Sequence, residues 1–160
     1  MGLSVFSVGY EKCGDRKFPE QKIAALLDSG TYHKVFISLG LNEAGYKLED
    51  LLNKYGDLIS LIQEKQPGVK IILQGIMTVS RGKANSDRAF SLENLGRINE
   101  GIAAMADGEQ IFYIDVNEIF ADEEGYLLDG LSGDGCHLYG KYGVVWEDWI
   151  RYASAQLEIE

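Results

Sequence analysis

Near the C-terminus of this 160-residue chain stands Asp134-Gly135-Cys136-His137, a carboxylate three residues ahead of an imidazole. One tight turn can present both side chains at that spacing, and an imidazole beside a carboxylate suits proton transfer near neutral pH. A second polar cluster, Gly40-Leu41-Asn42-Glu43, follows the apolar run Val35-Phe36-Ile37-Ser38-Leu39. A third, Gly75-Ile76-Met77-Thr78-Val79-Ser80, follows Val69-Lys70-Ile71-Ile72-Leu73. Residue type alone leaves these readings open. A single histidine is commonly a surface residue, and Asn42 also suits a turn with left-handed backbone. Cys136 has no second histidine placed to activate its thiol, so it reads as a small buried residue. Asp122-Glu123-Glu124, with Asp115 and Asn117, offers oxygen donors for calcium. Phe120 stands where an EF-hand loop needs glycine, however, and a solvated loop is the expectation. Gly130, Gly133 and Gly135 do not follow a strand and open a helix as a phosphate-binding loop must.

The elements that would position these residues alternate between two periods. Residues 35–39, 69–73 and 111–114 read as strands, each nearly continuously apolar, as strands buried on both faces should be. A weaker fourth strand is expected at residues 3–8. Leu48, Leu51, Leu52, Tyr55, Leu58, Ile59 and Ile62 recur at spacings of three and four, which predicts a helix ending before Pro67-Gly68. Leu92, Leu95, Ile98, Ile102 and Met105 predict another, closed by Asp107-Gly108. Ile23, Leu26 and Leu27 make a shorter helix after Pro19. Val145, Trp146, Trp149, Ile150 and Ala153 make a terminal one with both tryptophans in the core, an aromatic binding platform being the alternative. The polar residues 80–87 read as a surface loop and residues 121–140 as a long loop of the kind that often carries function. His33 falls in a loop ahead of its strand. Strands alternating with helices define an α/β fold with a parallel sheet. Ligands in such sheets bind beyond the carboxyl ends of the strands, which is where all three polar clusters fall.

Composition bounds the function. At 46% hydrophobic residues the chain can bury a core, and 160 residues form a single domain, 1–160. Fifteen Lys and Arg against 25 Asp and Glu give a net charge of -10, which disfavours nucleic acid and anionic membrane surfaces as partners. Cys13 and Cys136 form no CxxC pair, so neither a disulfide framework nor a structural zinc site is expected. No basic and apolar stretch of signal-peptide type opens the sequence, which reads as soluble.

Taken in order, a strand followed by Gly-x-Asn-Glu, Gly75-Ile76 after the middle strand, and Asp134-Gly135-Cys136-His137-Leu138-Tyr139 running into Tyr142-Gly143-Val144-Val145-Trp146 resemble the GDSL-type (SGNH) ester hydrolases. The resemblance extends from Gly2 to about Ile150. It implies a three-layer, flavodoxin-like SGNH-hydrolase fold and hydrolysis of small acyl esters, such as acetyl groups on carbohydrate, without metal or organic cofactor. His137 would be the general base toward a serine nucleophile, and Asp134 would orient the imidazole through its other nitrogen. Asn42 would donate to the oxyanion, with Gly40 letting the chain turn off the strand. Gly2 corresponds to a glycine whose backbone N–H serves the same hole.

Two departures set further expectations. The family's first block is a strand ending in Gly-Asp-Ser, and that tripeptide occurs nowhere in this sequence. Only Met1 precedes Gly2, so the chain reads as N-terminally truncated within the domain and inactive for want of the serine. Neither Ser4 nor Ser7 lies on a recognisable strand-to-helix elbow that would replace it. Loss of a central strand would bare an apolar sheet edge, either filled by residues 2–8 moving inward or used for self-association. Glu43 also stands where the family has Asp, an exchange a longer acid can serve. The alternatives are a non-catalytic SGNH-like module binding a glycan or protein, and an unrelated flavodoxin-like domain. The last requires Asp134, His137 and Asn42 to lie apart.

Overall fold

Ile71, Ile72 and Leu73 are all fully buried, so one strand must be covered on both faces. In the computed structural model, which describes residues 12–13 and 21–157, that strand is the centre of a parallel sheet. The sheet comprises β3 (Lys34–Ile37), β4 (Lys70–Gln74) and β5 (Ile111–Ile114), in the order β3-β4-β5. Val35 pairs with Ile71 and Ile71 with Ile111, which sets the register across all three. A separate two-residue ladder joins β1 (Lys12–Cys13) to β2 (Gln21–Lys22) in antiparallel fashion.

Three helices come from the expected periodicities. Helix α1 (Ile23–Asp28) buries Leu27, and α2 (Leu48–Lys65) buries Leu51, Tyr55, Leu58, Ile59 and Ile62 along one stripe. Glu49 and Asp50 in the first turn of α2 and Lys65 in its last complement the helix dipole. Ser91 caps α4 (Leu92–Ala103) by accepting from the Asn94 N–H at 3.2 Å, and Leu95, Ile98 and Ile102 face inward. Gly108 takes φ 73° just beyond that helix, where Asp107 Oδ1 accepts from the Glu109, Gln110 and Ile111 N–H groups, each at 2.8 Å.

The residues of β4 alternate between two cores. Ile71 and Leu73 join Tyr55, Ile62, Leu95 and Ile102 on one face. Ile72 points to the other, with Ile114, Val116, Phe120, Leu127 and Trp149. Trp149 belongs to the terminal helix α6 (Gly143–Gln156), and Phe120 to the short α5 (Asn117–Phe120).

Three expectations need correction. Residues 80–87 are not simply a loop: Arg81–Ser86 form a helix, α3, with Ser80 Oγ accepting from the Lys83 N–H at 3.3 Å. Burial of Ala84 and docking of Ser80 stabilise a turn that has no apolar period of its own. Strand β3 is also not buried on both faces. Phe36 is 44% exposed, and among the described residues no strand pairs with the outer edge of β3. Finally, Trp146 packs against the core beside Phe120 but is only half-buried, for a reason given below. The expected strand at residues 3–8, its inward move, and Gly2, Ser4 and Ser7 lie outside the described residues. No helix among the described residues is long and apolar enough to cross a membrane.

Candidate active site

Tyr55 anchors the chain where it leaves the sheet. Its fully buried hydroxyl donates to the Leu39 carbonyl at 2.5 Å and accepts from the Leu39 N–H at 3.2 Å. Burial pushes the phenol far above its ordinary pKa, so it stays protonated and keeps donating. Tyr55→Phe leaves both Leu39 groups short of a partner, and a loss of about 1–3 kcal/mol in urea-measured stability is expected. An unchanged unfolding midpoint would contradict that role.

One residue on, Gly40 turns the chain with φ 115°, a conformation that favours glycine. A Cβ there would also come within 2.8 Å of Ile76 Cδ1. The turn feeds a 3-10 segment, Leu41–Glu43, closed by the Glu43 N–H donating to the Gly40 carbonyl at 3.0 Å. Glu43 is 2% exposed, and its Oε2 finds no hydrogen-bond partner among the described residues.

Opposite lies the loop 132–138. Asp134 organises it: Oδ1 accepts from Cys136 N–H (2.9 Å), His137 N–H (2.8 Å) and Ser132 Oγ (3.0 Å), while Oδ2 lies 2.7 Å from His137 Nδ1. Ser80 N–H donates to the Gly135 carbonyl at 2.8 Å and docks the loop on α3. Gly135 has φ 80°, and a Cβ on it would come within 2.3 Å of Ser80 Oγ. These donors hold the Asp134 carboxyl well below the usual carboxylate range, the His137 backbone N–H first among them and its side chain next. A depressed folded-state pKa contributes stability that is present above the unfolded value near 3.9 and is lost as pH falls through the folded value. The Asp134–His137 contact is therefore expected to survive to a pH well below 4. A carboxyl carbon NMR titration of Asp134 with its midpoint near 3.9 would contradict this.

The two segments meet at a cleft of about 440 Å³. Ser38, Gly40, Asn42, Ile76, His137 and Trp146 all line it, and Asp134 reaches it through His137. The arrangement that an unrelated fold would separate is thus brought together. With Nδ1 held by Asp134, Nε2 is the imidazole nitrogen left for chemistry. Gly2 lies outside the described residues. The wall at Ile76 is clamped from behind: Asn99 Oδ1 accepts from its N–H at 2.7 Å, and Asn99 and Asn117 both donate to its carbonyl.

Cys136 is half-buried and lines the cleft rather than being fully enclosed. Burial pushes its thiol up, which keeps it a thiol at neutral pH. The calcium donors considered above are engaged elsewhere. Asp115 and Asp122 accept backbone N–H groups, and Glu124 pairs with Arg81 at 2.6 Å. The described residues contain no cluster of three or more His, Cys, Asp or Glu able to hold a metal.

Sequence reasoning missed two lining or supporting residues, Gln74 and Ser38. Trp146, placed in the core by its helical spacing, turns its Nε1–H to Gln74 Oε1 at 2.9 Å. Gln74 Nε2 in turn donates to Ser38 Oγ at 2.9 Å. A glutamine directly after Ile71-Ile72-Leu73, at the carboxyl end of the central strand, was the available signal.

The parallel α/β sheet thus carries a carboxylate–imidazole pair and an asparagine at one terminal cleft. The chain belongs to the GDSL-like lipase/acylhydrolase family, whose model matches residues 9–141. The chemistry of that family is ester hydrolysis. Among solved structures, it is similar to a Streptococcus pneumonia protein provisionally described as a platelet activating factor (21% identity, TM-score 0.63), covering 81% of this chain and 67% of that one. It is also similar to a GDSL-like lipase from Bacteroides thetaiotaomicron (18% identity, TM-score 0.61), covering 78% of this chain and 62% of that one. The chain therefore spans about two thirds of either structure's length, and at these identities the likeness is one of fold. No curated protein matches the chain.

Proposed function

We propose that the cleft is the acyl-transfer half of an ester hydrolase site acting on small acyl esters, including acetylated carbohydrate. The observation that carries this reading is the 2.7 Å contact from Asp134 Oδ2 to His137 Nδ1, made at a cleft that Asn42 shares. His137 Nε2 would take the proton of a serine hydroxyl as that oxygen attacks the ester carbonyl, then return it to the departing alcohol. Asp134 holds the imidazole in the tautomer this requires and stabilises the imidazolium. The Asn42 side chain would donate to the oxyanion, and Gly40 supplies the turn that brings Asn42 off β3.

The sequence contains no Gly-Asp-Ser, and without that serine the dyad has no hydroxyl of the family's kind to activate. The chain as given should hydrolyse esters no faster than buffer. The same absence favours a second reading, a non-catalytic module of this fold that binds a glycan or protein.

The deciding experiment is 4-nitrophenyl acetate hydrolysis by the chain extended with any in-frame coding sequence ahead of Met1. Turnover that depends on a serine in a Gly-Asp-Ser strand would support the enzyme. No such strand, or no turnover from a folded extended protein, would favour the binding module.

A further inference from the structure

We propose that Ser38 is a substrate-contacting residue of the cleft, its hydroxyl fixed as a hydrogen-bond donor to the acyl carbonyl oxygen. The inference rests on the ester-site reading above. Its basis is a directional chain of side chains running from Trp146 through Gln74 to Ser38.

An indole N–H can only donate. Trp146 Nε1 lies 2.9 Å from Gln74, so the amide must turn its oxygen to the indole. Its nitrogen then faces Ser38 and donates to Oγ at 2.9 Å. Flipping the amide would set two donors against each other. Gln74 is 3% exposed, so water cannot readily relieve the mismatch. Ser38 Oγ is therefore an acceptor toward the protein interior, and its single proton is left to be donated outward. Ser38 is exposed and lines the same cleft as Asn42 and His137, four residues before Asn42 across the Gly40 turn.

An ester carbonyl oxygen accepts only, and an oriented donor on the cleft wall suits it. A hydroxyl free to rotate would give no such preference. The buried glutamine converts an ordinary serine into an oriented donor, at the cost of ordering one polar side chain beneath the cleft.

The test uses acetanilide, a hydrolysis-resistant acyl compound, titrated into the isotopically labelled 160-residue chain and followed by amide NMR. Saturable shifts are expected at Gly40, Asn42 and His137. Ser38→Ala should weaken the affinity about 3- to 10-fold, the usual range for one neutral hydrogen bond, and Ser38→Thr should restore it to within about 2-fold. Gln74→Met removes the donor beneath Ser38, so the hydroxyl loses its fixed direction. That variant should weaken binding in the same sense as Ser38→Ala does.

If Ser38→Ala binds like the wild type while the cleft shifts persist, the Ser38 proposal fails and the ester-site reading stands. The proposal also fails if threonine does not restore affinity, since packing and not the hydroxyl would then be at work. If the wild type shows no shifts at the cleft, the ester-site reading fails and this proposal falls with it.

Discussion

In an extended protein that supplies a Gly-Asp-Ser strand, His137→Ala is expected to lower kcat/KM for 4-nitrophenyl acetate by roughly four to six orders of magnitude. Removing one member of a serine triad typically has that effect, because the residues act as a unit. The loss should appear in kcat, with KM little changed, since the imidazole moves a proton and contributes little to ground-state binding. Asp134→Asn is the sharper variant. Its Oδ1 can still accept from Cys136, His137 and Ser132, so the loop should keep its shape. Its Nδ2, however, would donate to His137 Nδ1 and force the proton onto Nε2, the nitrogen that must act as base. A loss approaching that of His137→Ala, with an unchanged fold, is expected. Hydrolysis unaffected by either variant would mean that the dyad is not part of the reaction.

The largest expected effect on stability lies in β4. Ile72→Ala and Leu73→Ala should each cost about 2–5 kcal/mol in urea denaturation, a large part of the total for a domain of this size. Both side chains are fully buried, yet they belong to different cores: Leu73 to the one with Tyr55 and Leu95, Ile72 to the one with Phe120 and Trp149. Comparable losses at adjacent residues are the signature of a strand covered on both faces, whereas a one-sided sheet would tolerate one of the two. Phe36→Ala on β3 provides the contrast. That side chain is 44% exposed, and a loss under about 1 kcal/mol is expected. A small effect at Ile72 would show that α6 does not hold its face of the sheet.

How much of this was legible before folding depended on how local each signal is. Strands β3, β4 and β5 follow from short, nearly continuous apolar runs and helices α2 and α4 from apolar spacings of three and four, which any single element displays within its own sequence. The Asp134–His137 pair is equally local, since one turn contains both partners. Helix α3 was not legible: Arg81-Gly82-Lys83-Ala84-Asn85-Ser86 has no apolar stripe, and its order comes from contacts with the Gly135 loop and from burial of Ala84. The spacing of Trp146 from Trp149 is the same whether it fills a core or flanks a cleft, and in the structure it does both. Its direction was decided by Gln74, 72 residues away in sequence.

By itself, then, the sequence determined the α/β class, the central strand, the Asp134–His137 contact and the turn at Gly40, because each is encoded by residue type and short-range spacing. Tertiary structure decided that Asn42 and His137 share one cleft, that Ser38 lines it with Gln74 behind it, and that Cys136 and Trp146 line it. Those facts depend on side chains brought together from residues 38, 74 and 146, whose sequence separation carries no period to read. Burial makes the difference physical: only where Gln74 is shut away from water does its hydrogen bonding have to choose a direction.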